Sequence, residues 1–444
     1  MNKNYDVIVA GGGVSGVSAA VSASRKGLSV LLIEQNSFLG GMGTSGLITM
    51  LMTSKNWFFG LGKTLIGDMI TDGSARYIEN PPVKGYDYYP FDAEGMKRKL
   101  DDIVISSGVD LLLYTKIVSL DKKDGKITRL NLVGMEGEWS VCGKVFVDAT
   151  GDAYLCRLAG EKVLYGDQNG GIQAPTMVAY YSGIDFDKYE RFLSTFDDGV
   201  KVPKINMIHT LVPIAHEQGV ISEIDLHHPG IFRISENSDV GVMNAGHVYG
   251  ANCSSAKGMT EATVRGRKMA KEYLDFYRKF VPGFENAYMT NTGNSLALRE
   301  SFRFEGKYVT TFQDKTDYVK FDDAIMRFDG GAVSDLHASS SDKQAYQSYL
   351  KLFSQREKVK SDDYATLPYR STVGANTDNL LVAGRCVSAD RETLGQIRIM
   401  GYCFMMGQSA GLASYLAVQN SATVDQINVK QLQRELLLQG IPTI

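Results

Sequence analysis

Gly11, Gly13 and Gly16 constrain the fold of this chain more than any other feature. In YDVIVAGGGVSGVSAAVSASRKGLSVLLIEQ they form G-x-G-x-x-G between an apolar strand (residues 7–10) and a helix of small residues (17–26). A second apolar strand, 29–33, then ends on Glu34. A dinucleotide needs this spacing. Gly11 allows the tight strand-to-helix turn, Gly13 lets a pyrophosphate approach the backbone, and Gly16 lets helix and strand pack closely. Val14 and Ser15 open the helix, whose unpaired N–H groups point at the phosphates. Glu34, with Gln35 beside it, stands about 20 residues on, where a carboxylate accepts hydrogen bonds from ribose hydroxyls.

The rest of the composition narrows the field. A chain of 444 residues has room for two or three domains, and 44% hydrophobic with 22% charged content describes a globular protein. A formal charge of −3 argues against nucleic acid or an anionic membrane surface as partner. The motif starts within a few residues of Met1, so no signal segment is expected, and no apolar run is long enough to span a bilayer. The five scattered cysteines (Cys142, Cys156, Cys253, Cys386, Cys403) point to free thiols in the cytoplasm rather than a disulfide framework. Without a C-x-x-C pair, a dithiol relay is not expected.

Further along, FLGGMGTSG (38–46) is a segment that lets a flat ligand come close, with Gly41, Met42 and Thr44 as candidate contacts. WFFGLGKT (57–64) ends like a phosphate loop, but Trp57 stands where the first glycine belongs, so that motif is rejected. Residues 91–107 have helical apolar spacing. Three strand-like stretches follow: LLLYTKIVSL (111–120, containing Ile117), KITRLNLVG and SVCGKVFVDAT, with Asp124-Gly125 as a hairpin turn between the first two. The third runs into Thr150-Gly151-Asp152. From 153 to 370 the β–α alternation fades and aromatics increase; one long helix is expected at 260–281, stopped by Pro282-Gly283. The alternation returns with NLLVA (379–383), Gly384-Arg385 and a small-residue helix over 400–418. The expected architecture is α/β: a discontinuous Rossmann-like domain, 1–152 plus 371–444, with an inserted α+β substrate or cap domain over 153–370.

Taken together, VIVAGGGVSGVSAA, GGMGTSG, VFVDATGD, LRESFRFEGKY and NLLVAGRCVSADRETLGQIRIMGYCFMMGQSAGLAS resemble the FAD-dependent oxidoreductases of the glutathione-reductase-type fold, relatives of the fumarate reductase and succinate dehydrogenase flavoproteins. The resemblance implies FAD as cofactor. It puts Gly384 and Arg385 near the ribityl–phosphate region, and it points the helix start at Met400, Gly401 and Tyr402 toward the N1–C2=O edge of the flavin ring. Covalent relatives attach FAD through a histidine near the second glycine-rich segment; here the first histidine is His209, so noncovalent FAD is expected.

The expected reaction moves a hydride between a small organic molecule and FAD, with an unidentified electron donor or acceptor as second partner. Alternatives are a single-domain NAD(P)-dependent dehydrogenase and a flavin-binding redox sensor without turnover. One group must handle a proton. Arg398, two residues before the late helix, serves either an anionic substrate and the flavin or an ion pair with Glu392 or Asp390. Arg299, with Glu300 and Arg303, forms a charged cluster that reads equally as surface ion pairing. His337, in SDLHASSS, is a candidate acid–base group. His227, His228 and His247 match no metal spacing and read as satisfied or solvated residues; no metal site is expected. Cys386 and Cys403 read as packing residues. Substrate identity and oligomeric state stay open.

Overall fold

The computed structural model describes residues 4–79, 86–195, 208, 210–225, 230–235, 238–330, 335–342, 344 and 363–443; His227 and His228 lie outside the described residues. The chain opens with β1 (Asn4–Ala10), α1 (Val14–Ser24) and β2 (Val30–Ile33). A small hairpin of β3 (Met50–Ser54) and β4 (Tyr86–Pro90) brackets α2 (Gly60–Thr71), and α3 (Ala93–Ser106) follows. The rejected phosphate-loop segment runs into α2.

β5 (Asp110–Leu112), β6 (Lys116–Lys123), β7 (Lys126–Gly134) and β8 (Gly137–Asp148) complete the first half of the main sheet. The stretch 111–120 is not one strand. Tyr114 adopts φ 53, which no strand interior accommodates, so the chain breaks there into β5 and β6. Asp124 (φ 47) and Gly125 (φ 77) make the tight turn between β6 and β7.

β5, β2, β1 and β8 run parallel in that order, and the long β8 splits its pairing. Its C-terminal half bonds β1 and β17 (Leu380–Val382), both parallel, while its N-terminal half bonds β7 antiparallel. Strands buried on both faces read as unbroken apolar runs rather than alternating ones. Accordingly Val7 and Val9 feed one core, while Ile8 and Ala10 feed the other.

On the first face, α1 lies against the helix Met400–Gln419 at backbone distance. A Cβ added to Gly407 would stand 2.1 Å from the Ser15 carbonyl oxygen, and one on Gly411 would stand 2.3 Å from that of Ala19. The small residues of both helices exist for this contact. Helix Val429–Leu438 closes the outside through Leu432 and Leu436.

In the middle of the chain β9 (Val163–Tyr165) pairs with β14 (Phe302–Phe304). A separate antiparallel sheet runs β11 (Ile231–Arg233), β12 (Gly241–Met243), β10 (Ala179–Ser182), β13 (Tyr288–Thr292). Its core is aromatic, with Tyr181, Tyr189, Tyr277 and Phe284 among its members. The long helix Ala256–Phe280 contributes Tyr273, Phe276 and Tyr277 to it. That helix starts four residues before the expected 260, because the Ser255 side chain accepts the Gly258 N–H and caps it there. The last ribbon, β15 (Ala324–Asp329) with β16 (Tyr364–Pro368), packs Ile325, Phe328 and Leu367 into the cluster that holds the Met400–Gln419 helix.

Candidate active site

The segments that follow β1, β2, β8 and β17 converge on one cavity of about 520 Å³. That is where an open α/β sheet binds ligands, outside the carboxyl ends of its strands. Gly11, at φ 97, makes the turn out of β1; a Cβ there would lie 2.6 Å from the Ala149 carbonyl oxygen. A Cβ on Gly13 would meet nothing closer than the Gly41 Cα at 3.9 Å, so this residue leaves the cavity open. Gly13 is also the N-cap of α1 and makes no side-chain cap bond. The first-turn amides, with Val14 and Ser15 on the wall, therefore face the cavity. Gly16 is not on the wall: its Cβ would come within 1.8 Å of the Gly11 carbonyl oxygen, and it serves the helix–strand packing.

Glu34 is buried at the cavity edge, with Gln35 next to it. One carboxylate oxygen accepts the Gly12 N–H at 2.7 Å; the other accepts the Asn36 backbone and side-chain N–H groups at 2.8 and 2.7 Å. Gly41 and Met42 line the wall, whereas Thr44 turns inward and donates to the Leu39 carbonyl at 2.6 Å. Ile117 also lines the wall.

At the end of β8 a buried carboxylate shapes the turn. Asp148 accepts from the Thr150 N–H and hydroxyl at 3.1 and 2.6 Å and from the Cys156 N–H at 3.0 Å. Burial raises its pKa. Those bonds hold Thr150, Gly151 and Asp152 at the wall. Arg385, following Gly384, donates to Asp152 at 2.7 Å and to the Ser301 hydroxyl at 2.9 Å, and Ser301 bonds Asp152 in turn. Three remote segments are thereby clamped at one place.

The helix Met400–Gln419 points its N-terminus at the same cavity, and its N-cap Ile399 supplies no side-chain bond. Met400 and Cys403 line the wall there. Gly401 instead fits against Phe58 and Thr53, and Tyr402 is fully buried with its hydroxyl accepting the Asp329 N–H at 3.1 Å. Cys403 thus touches the cavity as well as the core; burial pushes its thiol up to about 12. The chain's middle contributes wall residues that spacing did not single out: Cys253, Ser254 and Ser255 at the head of the long helix, then Ser295, Leu298 and Ser301.

Arg398 lines this wall, and it joins an ionic cluster. Its guanidinium donates to the Asp335 carbonyl at 2.7 Å and carboxylate at 3.0 Å. The expected partner Asp390 is occupied otherwise, as the N-cap that accepts the Thr393 N–H at 2.8 Å. His337 and Arg299 do not line the cavity but stand behind Arg398. His337 Nε2 lies 3.2 Å from Asp335, and Arg299 donates to the Ala174 carbonyl and the Thr176 hydroxyl at 2.9 and 2.8 Å. Burial, with Arg398 as a further cause, lowers the Arg299 pKa to about 10. Burial and Arg299 hold His337 well below the usual histidine range.

The surface reading of 299–303 is corrected: Arg299, Glu300 and Arg303 are all buried. Glu300 pairs with Arg303, accepts from Arg391 at 2.9 Å and takes the Gln173 N–H at 3.0 Å. His247 joins the cluster on Asp225, and Asp335, Asp225 and His247 are members that no sequence spacing announced.

Two helix ends without side-chain caps and a carboxylate at the cavity edge are what a dinucleotide needs from a protein. The chain matches the family described as FAD dependent oxidoreductase over residues 6–436, and it belongs to that family. The cavity residues fit FAD: one helix end suits the pyrophosphate, the other an electron-rich ring edge, and the open space over Gly13 admits close approach. The chain is 24% identical over 169 residues to digeranylgeranylglycerophospholipid reductase 1 of Methanococcoides burtonii, covering 36% of this chain and 41% of that protein. It is 30% identical over 164 residues to digeranylgeranylglycerophospholipid reductase 2 of Methanothermobacter thermautotrophicus, covering 35% and 42%. These likenesses span about two fifths of the relatives' length. A geranylgeranyl bacteriochlorophyll reductase-like protein of Thermoplasma acidophilum shares the fold, with TM-score 0.50 and 13% identity over 98% of this chain and 83% of that one.

Proposed function

We propose that this FAD-dependent oxidoreductase exchanges a hydride between noncovalently bound FAD and a small polar or anionic organic molecule. One observation carries the reading: Arg398 stands on the cofactor cavity, close to the uncapped N-terminus of Met400–Gln419, and is backed by part-buried Asp335 and His337 and by buried Arg299. The flavin, when bound, supplies the hydride chemistry. The protein's own groups do the rest. The helix end stabilises negative charge beside it by up to about 2 kcal/mol when partly buried. Arg398, braced by Asp335, orients an anionic substrate, and the histidine cluster behind it handles the accompanying proton.

The relatives are named as reductases of geranylgeranyl compounds; here Arg398 stands on the wall with Leu296, Leu298 and Met400, and its charge favours a substrate with an anionic group. Noncovalent attachment is supported by the absence of histidine from the cavity wall among the described residues. The five free cysteines support a reducing cytoplasm. A second electron partner, donor or acceptor, returns the flavin to its starting state.

Acid precipitation of the purified protein is expected to release the flavin, and anaerobic screening of polar metabolites to bleach the oxidised flavin band through repeated cycles. Colour retained on the pellet overturns noncovalency. A flavin that no metabolite reduces and that cycles only with chemical reductants favours the sensor instead.

A further inference from the structure

Behind Arg398 a run of contacts leaves the cavity and enters the cap. Arg398 reaches the Asp335 carboxylate at 3.0 Å, and Asp335 lies 3.2 Å from His337 Nε2. The His337 ring stacks on His247, with centroids 4.9 Å apart and planes 21° from parallel. His247 Nδ1 lies 2.8 Å from Asp225, whose other oxygen accepts the Tyr249 hydroxyl at 2.9 Å. Asp225 also takes the backbone N–H groups of Gly246 and His247 at 2.7 and 3.1 Å, so the carboxylate is fixed from several sides. Each imidazole therefore has its own carboxylate. A carboxylate only accepts, so the ring nitrogen turned toward it carries the proton.

The charged and titratable groups that face this stack, among the described residues, are Arg299, Arg398, Asp225, Asp335, Tyr249 and Tyr273. Two guanidinium groups and two carboxylates cancel formally. One added proton makes a single buried charge that either carboxylate attracts. A second would set two cations face to face at 4.9 Å beside Arg299. The directions agree: burial lowers His247 with Asp225 opposing, while burial, Arg299 and His247 all lower His337.

We propose that His247 is a positioning residue that, held by Asp225 and stacked on His337, makes the two imidazoles a unit binding one proton rather than two. Such a unit is neutral at pH 7 and accepts one proton at the end of a contact run that begins on the cavity wall. Groups coupled this strongly titrate as a pair. The inference rests on the oxidoreductase reading only for what the proton serves.

The test is an imidazole titration by NMR on the FAD-loaded protein, without substrate, the chain's six histidines being assigned by single substitution. In wild type only one of the two ring signals moves as pH falls through the folded range. In His247→Phe, which keeps a flat ring in the stack, the His337 midpoint moves to higher pH, because the competing site is gone. His337→Phe, by contrast, leaves the His247 midpoint near its wild-type value, because His247 takes its proton while His337 is still neutral. A His337 ring that stays silent in folded His247→Phe overturns the proposal, as does independent protonation of both rings in wild type. A protein inert to every metabolite would sink the oxidoreductase reading while leaving the proton count intact.

Discussion

The cofactor cavity and the ionic cluster behind it are built on opposite principles. The cavity depends on backbone where the chain turns into it: glycines, helix ends and turn amides held by Asp148 and Arg385. The cluster is side chains: Asp225, His247, Arg299, Glu300, Asp335, His337, Arg391 and Arg398 meet from remote parts of the chain. Backbone recognition demands small residues at fixed spacing, because only they allow the turn and the close approach. A side-chain cluster demands only that the fold bring its members together, and any spacing will serve. The first region therefore announces itself in sequence, and the second does not.

If the cluster is a buried ionic network rather than a set of surface pairs, its weakest point is Glu300. This fully buried carboxylate answers Arg303 and Arg391 and also accepts the Gln173 N–H at 3.0 Å. Glu300→Ala leaves buried Arg303 and part-buried Arg391 without that partner. Breaking a buried pair from one side costs about 3–5 kcal/mol. Denaturant unfolding of the variant should show a loss of that size, the largest expected for a single change here. A loss below about 1 kcal/mol would put the cluster with exposed pairs and erase the contrast.

What was legible follows the same division. The first β–α–β unit, the α3 helix, the β6–β7 turn, the return of the sheet at β17 and the helix Met400–Gln419 all stand where the pattern puts them, within a few residues. The break at Tyr114 was not legible, since a left-handed tyrosine leaves no compositional mark. The burial of Arg299, Glu300 and Arg303 was not legible either, because a run of charges reads as solvated until its partners from 166, 173 and 391 are seen. Arg398, His337 and Arg299 were each singled out alone; that Asp335 joins the first two, and that all three share one buried neighbourhood, belongs to tertiary structure.

The junction of the two regions is Arg398, and it sharpens the comparison. If it acts on substrate rather than holding the fold, Arg398→Ala should lower kcat and kcat/KM together by roughly 100-fold, about 2.7 kcal/mol. FAD affinity should change by no more than about threefold if the helix-end amides of Val14 and Ser15, rather than Arg398, carry the dinucleotide. Equal losses in FAD binding and turnover would make Arg398 part of the cofactor wall. Wild-type turnover would make it a brace for Asp335 and nothing more.

The smallest effect belongs to Glu34, at the edge of the backbone-built region. Glu34 has about four lone-pair sites, and three are taken by Gly12 and Asn36. One remains for a ribose hydroxyl. Hydrogen bonds to charged groups are worth about 1.5–3 kcal/mol, and a single remaining site argues for the lower end. Glu34→Ala should therefore weaken FAD binding about tenfold, as read by fluorescence titration of apoprotein with FAD, with the fold intact by circular dichroism. An unchanged Kd would mean that Glu34 serves only to pin the Gly12 and Asn36 amides, leaving adenosine recognition to backbone alone. A loss beyond about a thousandfold would show the opposite: a cavity whose glycine frame depends on one buried carboxylate, as the cap cluster depends on Glu300.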